Sequence, residues 1–306
     1  MQRPALVVGS ATLHGWLAAI AVDAGLAGDA SVDVVDFPTG RHAIDAMLAG
    51  RVHLAASSEF AVLAKRRDGA DLRILAELAS TTDHLETLAR RDRGIVGPTD
   101  LRGRRIAVAV GTDAEYFLTR SLDDAGVAMD AVELVPTGAA DLVAALGGRA
   151  DAVVAWEPHR SRIRDRFGDA VVGWPTQGGR QAYGVLVAPA GLASVEGAGL
   201  QPLFRALVAA EDFAVSNPAR AQAIMARRLG VDGRAMAKLW GRFAVGLGLS
   251  QGLFERLADQ ARWLKLTDDV RASAWPEPLR SVKPGVVAPD LRGRVTPGRD
   301  SGRGRP

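Results

Sequence analysis

The sequence predicts an α/β protein built from two similar lobes, and three features of the 306-residue chain support this prediction. Apolar runs of four to six residues alternate with segments of helical period, which is typical of βα units and a mostly parallel sheet. One phrase occurs twice at a fixed spacing. The last third of the chain is dominated by helical patterns, which indicates a helical segment after the second lobe.

The apolar runs predict nine strands, and the helical periods predict six helices between them. The strands are expected at residues 5–9, 32–37, 54–56, 74–78, 105–110, 131–135, 152–155, 170–174 and 184–188. The helices are expected at residues 13–24, 42–49, 60–67, 114–125, 139–146 and 159–167. After residue 188 helix follows helix, and "MAKLWGRFAVGLG" and "LFERLADQARWLKL" are predicted to be two of these amphipathic segments.

The repeated phrase pairs residues 37–60, "FPTGRHAIDAMLAGRVHLAASSEF", with residues 135–158, "VPTGAADLVAALGGRADAVVAWEP". The two copies align without a gap at an offset of 98 residues, and both contain Pro-Thr-Gly and Gly-Arg. This period is too long for a solenoid repeat. The duplication therefore predicts two equivalent structural units, one in each lobe.

Composition excludes several classes of protein and of site. The chain has no cysteine, so disulfides, thiolate metal sites and a cysteine nucleophile are excluded. No run reaches the roughly 18 apolar residues of a membrane span, and no export signal is visible at the start of the sequence. The 48% hydrophobic and 24% charged residues are typical of a soluble globular protein.

The sequence pI of about 9.6 comes from the end of the chain. Residues 280–306 contain seven basic and two acidic residues, which leaves the rest of the chain slightly acidic. The segment "RGRVTPGRDSGRGRP" has too little apolar surface to offset its ordering entropy, so residues 289–306 are predicted to be a disordered basic tail. We therefore expect no nucleic-acid partner.

Candidate binding residues follow the predicted strands, because ligands of α/β sheets bind where strands lead into helix N-termini. Pro-Thr-Gly occupies this position twice, and "VGSATLHGW" and "AVGTDAEYF" form a second pair of strand-to-helix turns. The repeats end in "ASSEF" and "AWEPH", which offer hydroxyl donors, an apolar wall and a negative charge. Helix caps, tight turns and core packing remain the alternative roles for the same residues.

The segments "DLRGRRIAVAVGTDAEYFLTRSLDDAGV" and "VELVP…DLVAALGGRADAVVAWEP" resemble the solute-binding proteins of ABC importers, in the branch that serves nitrate, taurine, aliphatic sulfonates and thiamine-precursor pyrimidines. The resemblance implies a type II periplasmic-binding fold whose second lobe is inserted into the first, with crossings near residues 87–92 and 181–185. The implied lobes are residues 1–90 with 184–288, and residues 91–183. It further implies hinge closure around a small-molecule ligand, an ABC permease as partner, a monomer, no cofactor and an extracytoplasmic location.

Carried over by position, the resemblance implies one inter-lobe ligand site without catalytic residues. Its predicted members are Ser10, Thr12, His14, Trp16, Thr39, Gly40, Ser57, Ser58, Glu59, Gly111, Thr112, Glu115, Tyr116, Thr137, Gly138, Trp156 and Glu157. One departure is His53, where the family often has the Asp that this chain has at Asp151. We expect a polar residue packed near the sheet there.

Two rival functions stay open at this point. Desulfinases and pyrimidine synthases resemble the same chain. The desulfinases use a cysteine nucleophile, and the pyrimidine synthases use a cysteine-rich segment and an active-site histidine. This chain has no cysteine, and only His14 stands out as a base in the predicted cleft. A cytoplasmic ligand sensor is the other rival, because no export signal is visible. The residues do not choose among a sulfonate, nitrate, a pyrimidine and an aromatic acid.

Overall fold

The computed structural model describes residues 6–11, 13–28, 32–195, 200–267, 274, 276–280, 283, 285 and 287. These residues form two mixed sheets flanked by helices, which confirms the α/β prediction. The first sheet has the spatial order β11 (Phe243–Gly248), β4 (Leu72–Thr81), β10 (Ala182–Pro189), β3 (Leu54–Ser58), β1 (Leu6–Ala11), β2 (Val32–Phe37). The second has the order β7 (Glu133–Pro136), β6 (Arg105–Val108), β8 (Ala152–Ala155), β5 (Glu86–Arg90), β9 (Val171–Pro175).

Twelve helices surround the sheets in the described part of the chain. They are α1 (Trp16–Asp23), α2 (Gly40–Leu48), α3 (Glu59–Arg67), α4 (Asp113–Asp124), α5 (Leu142–Gly147), α6 (His159–Phe167), α7 (Ala190–Val195), α8 (Gln201–Ser216), α9 (Pro218–Leu229), α10 (Gly233–Trp240), α11 (Gln251–Trp263) and α12 (Glu277–Arg280). Among the described residues, none of these helices has the length and apolar character that a membrane crossing requires.

The sheet orders confirm that the repeated phrase marks two equivalent units. Five strands of the first sheet run β2-β1-β3-β10-β4, and the second sheet repeats this order as β7-β6-β8-β5-β9. In each sheet the first three strands are parallel and the fourth is antiparallel to both of its neighbours. We call the first sheet with its helices the first lobe, and the second sheet with α4, α5 and α6 the second lobe.

The antiparallel strand of each sheet is the one that has just crossed from the other lobe. The chain leaves β4 and enters β5 through residues 82–85, and it leaves β9 and enters β10 through residues 176–181. Both crossings lie a few residues before the expected positions, because residues 87–92 and 181–185 fall largely within β5 and β10 themselves. The two lobes are therefore joined by two short connections.

His53 has the role that Asp151 has in the second copy. The Val7 N–H donates to His53 Nδ1 at 2.9 Å, and the Arg105 N–H donates to Asp151 Oδ2 at 3.0 Å. A second hydrogen bond runs the other way in both copies: the His53 N–H donates to Val7 O, and the Asp151 N–H donates to Arg105 O, both at 2.8 Å. A backbone N–H can only donate, so His53 accepts through Nδ1 and carries its proton on Nε2. The departure at position 53 thus preserves the contact.

One helical prediction was wrong. In "MAKLWGRFAVGLG" the helix ends at Trp240, and residues 243–248 form β11, which pairs antiparallel with the edge of β4. A short apolar run is compatible with either structure, and here pairing with an unfilled sheet edge decides between them. The predicted basic tail at residues 289–306 lies outside the described residues, as does Ala5 of the first predicted strand.

The fully buried amide of Gln177 connects the two crossings. Its Oε1 accepts the N–H groups of His84 and Leu85 at 2.6 and 3.2 Å. Its Nε2 donates to the carbonyls of Thr81 and Arg180 at 3.1 and 3.0 Å. One side chain therefore satisfies four backbone groups at the junction of the lobes.

Replacement of Gln177 by Leu is expected to lower the free energy of unfolding by at least about 3 kcal/mol, because buried N–H and C=O groups lose their partners. The measurement is a urea unfolding curve. Gln181→Leu, at a half-buried position on the same crossing, serves as the control and should stay within about 0.5 kcal/mol of the wild type. Equal stability of Gln177→Leu and wild type would show that this amide does not secure the junction.

The two repeat-equivalent glycines should respond differently to alanine. A Cβ on Gly40 would lie 2.1 Å from Ser57 Oγ and 2.8 Å from Ser57 Cα, so Gly40→Ala must push against the backbone of β3. A Cβ on Gly138 would meet nothing closer than Asp141 Oδ2 at 3.6 Å. Thermal unfolding should show a loss of about 1–3 kcal/mol for Gly40→Ala and no loss for Gly138→Ala. Similar effects of both substitutions would contradict the asymmetry between the two copies.

Candidate functional site

A cleft of about 180 Å³ lies between the two lobes, where four helices begin. Helices α2 and α3 reach it from the first lobe, and α4 and α6 reach it from the second. The lining residues are Ala11, Leu13, His14, Phe37, Pro38, Thr39, Gly40, Arg41, Ser58, Ala61, His84, Thr112, Asp113, Trp156, Glu157, Pro158, His159, Arg228 and Leu229.

Hydroxyl side chains cap three of these helices. Thr39 accepts the N–H of the third residue of α2, Ser58 accepts that of Ala61 in α3, and Thr112 accepts that of Ala114 in α4. The remaining N–H groups of a first helical turn have no partner inside the helix. Together with the helix dipoles, they make this part of the cleft electropositive.

Two histidines and one aspartate form the floor of the cleft. His84 Nε2 lies 2.9 Å from Asp113 Oδ2, and His14 Nε2 lies 3.8 Å from the same oxygen. Burial opposes ionisation of Asp113, but attraction to His84 and the contacts with both imidazoles outweigh it and hold the pKa of this carboxyl well below its ordinary range. The floor therefore contains an ionised carboxylate that is held between two imidazoles.

The walls combine apolar surface with two guanidinium groups. Arg228 donates to Asp23 and Asp36 at 2.7 to 2.9 Å, so its charge is already engaged. Arg41 is placed more loosely, 3.9 Å from Asp68, and lies against Gly111 of the second lobe. Arg41 is therefore the lining cation best placed to meet an anionic ligand.

Seven of the predicted site residues line the cleft. They are His14, Thr39, Gly40, Ser58, Thr112, Trp156 and Glu157. Two others stand at its rim, where the Gly111 N–H donates to Glu115 Oε2 at 2.8 Å. Thr12 lies outside the described residues.

Three predicted residues lie directly behind the lining. The hydroxyls of Ser10 and Ser57 are buried and find no hydrogen-bond partner within the described chain. Each packs against a glycine, Ser10 against Gly15 and Ser57 against Gly40, at distances that leave no room for a Cβ. Glu59, the first residue of α3, is fully buried behind its cap.

The structure places two predicted aromatic residues in packed cores. Trp16 stacks on Trp240 and Phe243, with ring centroids 5.0 and 4.7 Å away. Tyr116 packs on Phe60 at 5.6 Å, and its hydroxyl donates to Asp259 of α11. The hydrogen bond from the Tyr116 hydroxyl to Asp259 joins α4 of the second lobe to the first lobe.

Thr137 and Gly138 do not reach the cleft, although they repeat Thr39 and Gly40. Thr137 donates to its own strand at Val135 O, 2.8 Å away, and accepts from Arg149. A short 3-10 turn at residues 139–141 precedes α5, so this helix begins four residues later than α2 does in the first copy. The second Pro-Thr-Gly therefore forms a turn.

Sequence reasoning missed His84, Asp113 and Arg41. Asp113 and Arg41 each directly follow a residue that was predicted, Thr112 and Gly40. No helix or strand pattern could have indicated His84, because it lies in the first crossing and reaches the cleft only through the tertiary fold.

The Glu59 carboxyl is buried with two hydrogen-bond partners. Its Oε2 accepts the Tyr183 N–H at 3.0 Å, and its Oε1 accepts from Gln260 Nε2 at 2.9 Å. Burial, reinforced by the charge of Asp113, raises the pKa of Glu59 to about 7. A neutral Glu59 could donate to Gln260 if that amide rotates, since Gln260 Oε1 has no other partner among the described residues.

Glu59 should make the stability of the protein depend on pH. The folded protein keeps a proton at Glu59 up to a pKa of about 7, whereas the unfolded chain releases it near 4.5. The free energy of unfolding should therefore fall as pH rises from about 4.5 to 7, by on the order of 3 kcal/mol from this group. Urea unfolding across this range should show a smaller fall for Glu59→Gln. Parallel curves for the two proteins would contradict the assignment.

Comparison with known proteins agrees with this architecture. The family model described as NMT1/THI5 like matches residues 23–226. No curated protein matches the chain.

Three solved structures share the fold. The alkanesulfonate-binding protein SsuA from Xanthomonas axonopodis pv. citri, bound to MOPS, superposes with a TM-score of 0.75 at 20% identity, over 90% of this chain and 99% of that one. The periplasmic aliphatic sulphonate binding protein SsuA from Escherichia coli gives 0.71 at 19% identity, over 89% and 98%. The desulfurization enzyme DSZB gives 0.64 at 18% identity, over 90% and 98%.

The chain thus shares its overall fold with these binding proteins. The chain belongs to the NMT1/THI5-like family.

Proposed function

We propose that this protein is the solute-binding receptor of an ABC importer and that it captures a small anionic or zwitterionic organic compound without transforming it. The observation that carries the proposal is the meeting of three capped helix N-termini, from both lobes, at one cleft. Such helix ends bind anionic groups through free N–H donors and the helix dipole. The names of the structural neighbours support a sulfonate-like group as the anion.

The apolar part of the lining supports a ligand with an organic body. Phe37, Pro38 and Leu229 line the first lobe's side of the cleft, and Trp156 and Pro158 line the second lobe's side. A bare inorganic ion would leave this surface without a contact. Sulfonates and pyrimidines with a carbon skeleton therefore fit the cleft better than nitrate.

Glu157 gives the cleft a place for an amine. Its Oε2 accepts the Ser161 N–H at 3.2 Å, and its Oε1 lies 4.0 Å from Arg160. This carboxylate stands on the second lobe and the anion-binding ends of α2 and α3 stand on the first. A zwitterion such as an aminosulfonate would contact both lobes, which favours closure of the hinge on binding.

In the proposed cycle, the lobes rotate about the two crossings, which Gln177 holds together as one hinge, while they close on the ligand, and the closed form delivers it to a membrane permease. This assigns the protein to the extracytoplasmic face of the membrane and makes it a monomeric receptor. His14 and His84 shape the floor in this proposal and transfer no proton.

A thermal-shift screen with taurine, alkyl and aryl sulfonates, nitrate and pyrimidines tests the proposal. A ligand at 100 times its dissociation constant adds about 2.7 kcal/mol to the unfolding free energy, which corresponds to a melting-temperature increase of roughly 5 °C or more. Arg41→Gln should weaken binding of the active compound by about 10- to 100-fold, since a charged hydrogen bond is lost. Arg149→Gln, at an arginine that bonds Thr137 away from the cleft, is the matched control.

Recovery of the ligand after incubation separates the receptor from an enzyme. Nuclear magnetic resonance should return the compound unchanged. Consumption of the compound, or the absence of a shift from every compound in the screen, would contradict the receptor proposal.

A further inference from the structure

The three polar side chains on the cleft floor also form a set of metal-ligand donors. His14, His84 and Asp113 each offer one ligand atom, and these atoms all lie within 4.8 Å of one another. The carboxylate Oδ2 is the centre of the set, 2.9 Å from one imidazole Nε2 and 3.8 Å from the other. We propose that these residues bind a single divalent transition-metal ion at the floor of the cleft.

The spacing of the donors suits one tetrahedral ion. Nitrogen and oxygen ligands lie about 2.0–2.2 Å from Zn²⁺, which separates any two of them by roughly 3.3 Å. The observed separations of 2.9 and 3.8 Å fall on either side of that value. Changes of side-chain torsion within the cleft are therefore enough to bring all three donors to one ion.

The chemistry of the donors selects the class of ion. Two imidazoles and one carboxylate suit Zn²⁺, Co²⁺, Ni²⁺ or Fe²⁺, whereas Mg²⁺ and Ca²⁺ prefer sets made of oxygen atoms alone. Three protein ligands leave at least one coordination position open. Because all three residues line the cleft, the open position faces the space where a solute would bind.

The donors come from three different parts of the fold. His14 lies in the turn between β1 and α1 of the first lobe, His84 in the first crossing, and Asp113 at the start of α4 in the second lobe. An ion held by all three joins both lobes to the hinge. Metal binding is therefore expected to stabilise the closed arrangement of the lobes.

The backbones that carry the donors are held firmly in place. Gln177 accepts the His84 N–H at 2.6 Å, and the backbone of His14 packs so closely on Gly184 that a Cβ there would lie 2.8 Å from the His14 carbonyl oxygen. The two rings themselves are held less firmly, since each Nδ1 is buried without a hydrogen-bond partner among the described residues. Neither ring therefore has to break a hydrogen bond at Nδ1 when its Nε2 is directed at an ion beside Asp113.

Isothermal titration calorimetry tests the site with ZnCl₂ on the full chain after chelator treatment, without any organic ligand. One ion should bind per chain with micromolar or tighter affinity. His14→Gln, His84→Gln and Asp113→Asn should each weaken binding at least about 100-fold, because loss of supporting residues around a metal already costs about 10- to 100-fold. His42→Gln removes an exposed histidine that does not line the cleft and should leave the affinity unchanged.

Cobalt provides a second readout. Co²⁺ added to the wild type should give the visible absorption of a four-coordinate ion, and the same addition to His14→Gln should not. Far-UV circular dichroism of each variant without metal verifies that it is folded.

Absence of Zn²⁺ binding by the wild type at about 100 μM Zn²⁺ would overturn the proposal. The three residues would then be a hydrogen-bonded triad. Unchanged affinity in the three variants, or an equal loss in His42→Gln, would overturn it as well. The titration contains no organic solute, so its failure and the failure of the receptor proposal are separate results.

Discussion

The cleft depends on the hydrogen bonds that one buried amide makes between the two crossings. Gln177 sits on the second crossing and binds the backbone of the first, at His84 and Leu85. Because the His84 backbone is fixed, its imidazole stands 2.9 Å from Asp113, the first residue of α4. One connected set of contacts thus joins the junction of the lobes, the floor of the cleft and the N-terminus of α4. A change of side chain at Gln177 would therefore remove a contact that positions His84 on the floor of the cleft.

The two copies have kept their sheet topology and diverged at the rim. The contact that His53 makes to Val7 is the contact that Asp151 makes to Arg105, so the equivalence reaches single hydrogen bonds at the amino ends of the strands. At the carboxyl ends the copies differ. Gly40 packs against Ser57 and starts α2 at the cleft, whereas the residues after Gly138 form a 3-10 turn first. The two copies therefore share contacts within their sheets and differ in the loops at the rim.

Local pattern predicted most strands and helices, the two matching sheets and the electropositive rim of the cleft, whereas tertiary contacts decided the rest. Caps such as Thr39 and Thr112 were recognisable because a hydroxyl before a helical period is a local signal. The strand at residues 243–248 could not be predicted from the local pattern, because it forms by pairing with the edge of β4, which is distant in sequence. His84 was missed for the same reason, since its place in the cleft is set by Gln177, 93 residues away in the chain.

Two buried carboxyl groups lie at this cleft, and their surroundings move their pKa values in opposite directions. Asp113 has two imidazoles against it, and these interactions keep it ionised in spite of burial. Glu59 accepts hydrogen bonds from a backbone N–H and an amide, and burial with the nearby charge of Asp113 raises its pKa to about 7. Two like charges close together in a poorly solvated region repel strongly, and neutralising one of them removes that cost. The histidines on the floor thus keep Asp113 as the charged carboxyl, and below about pH 7 the protonated Glu59 behind Ser58 leaves the N-terminus of α3 without a competing negative charge from this residue.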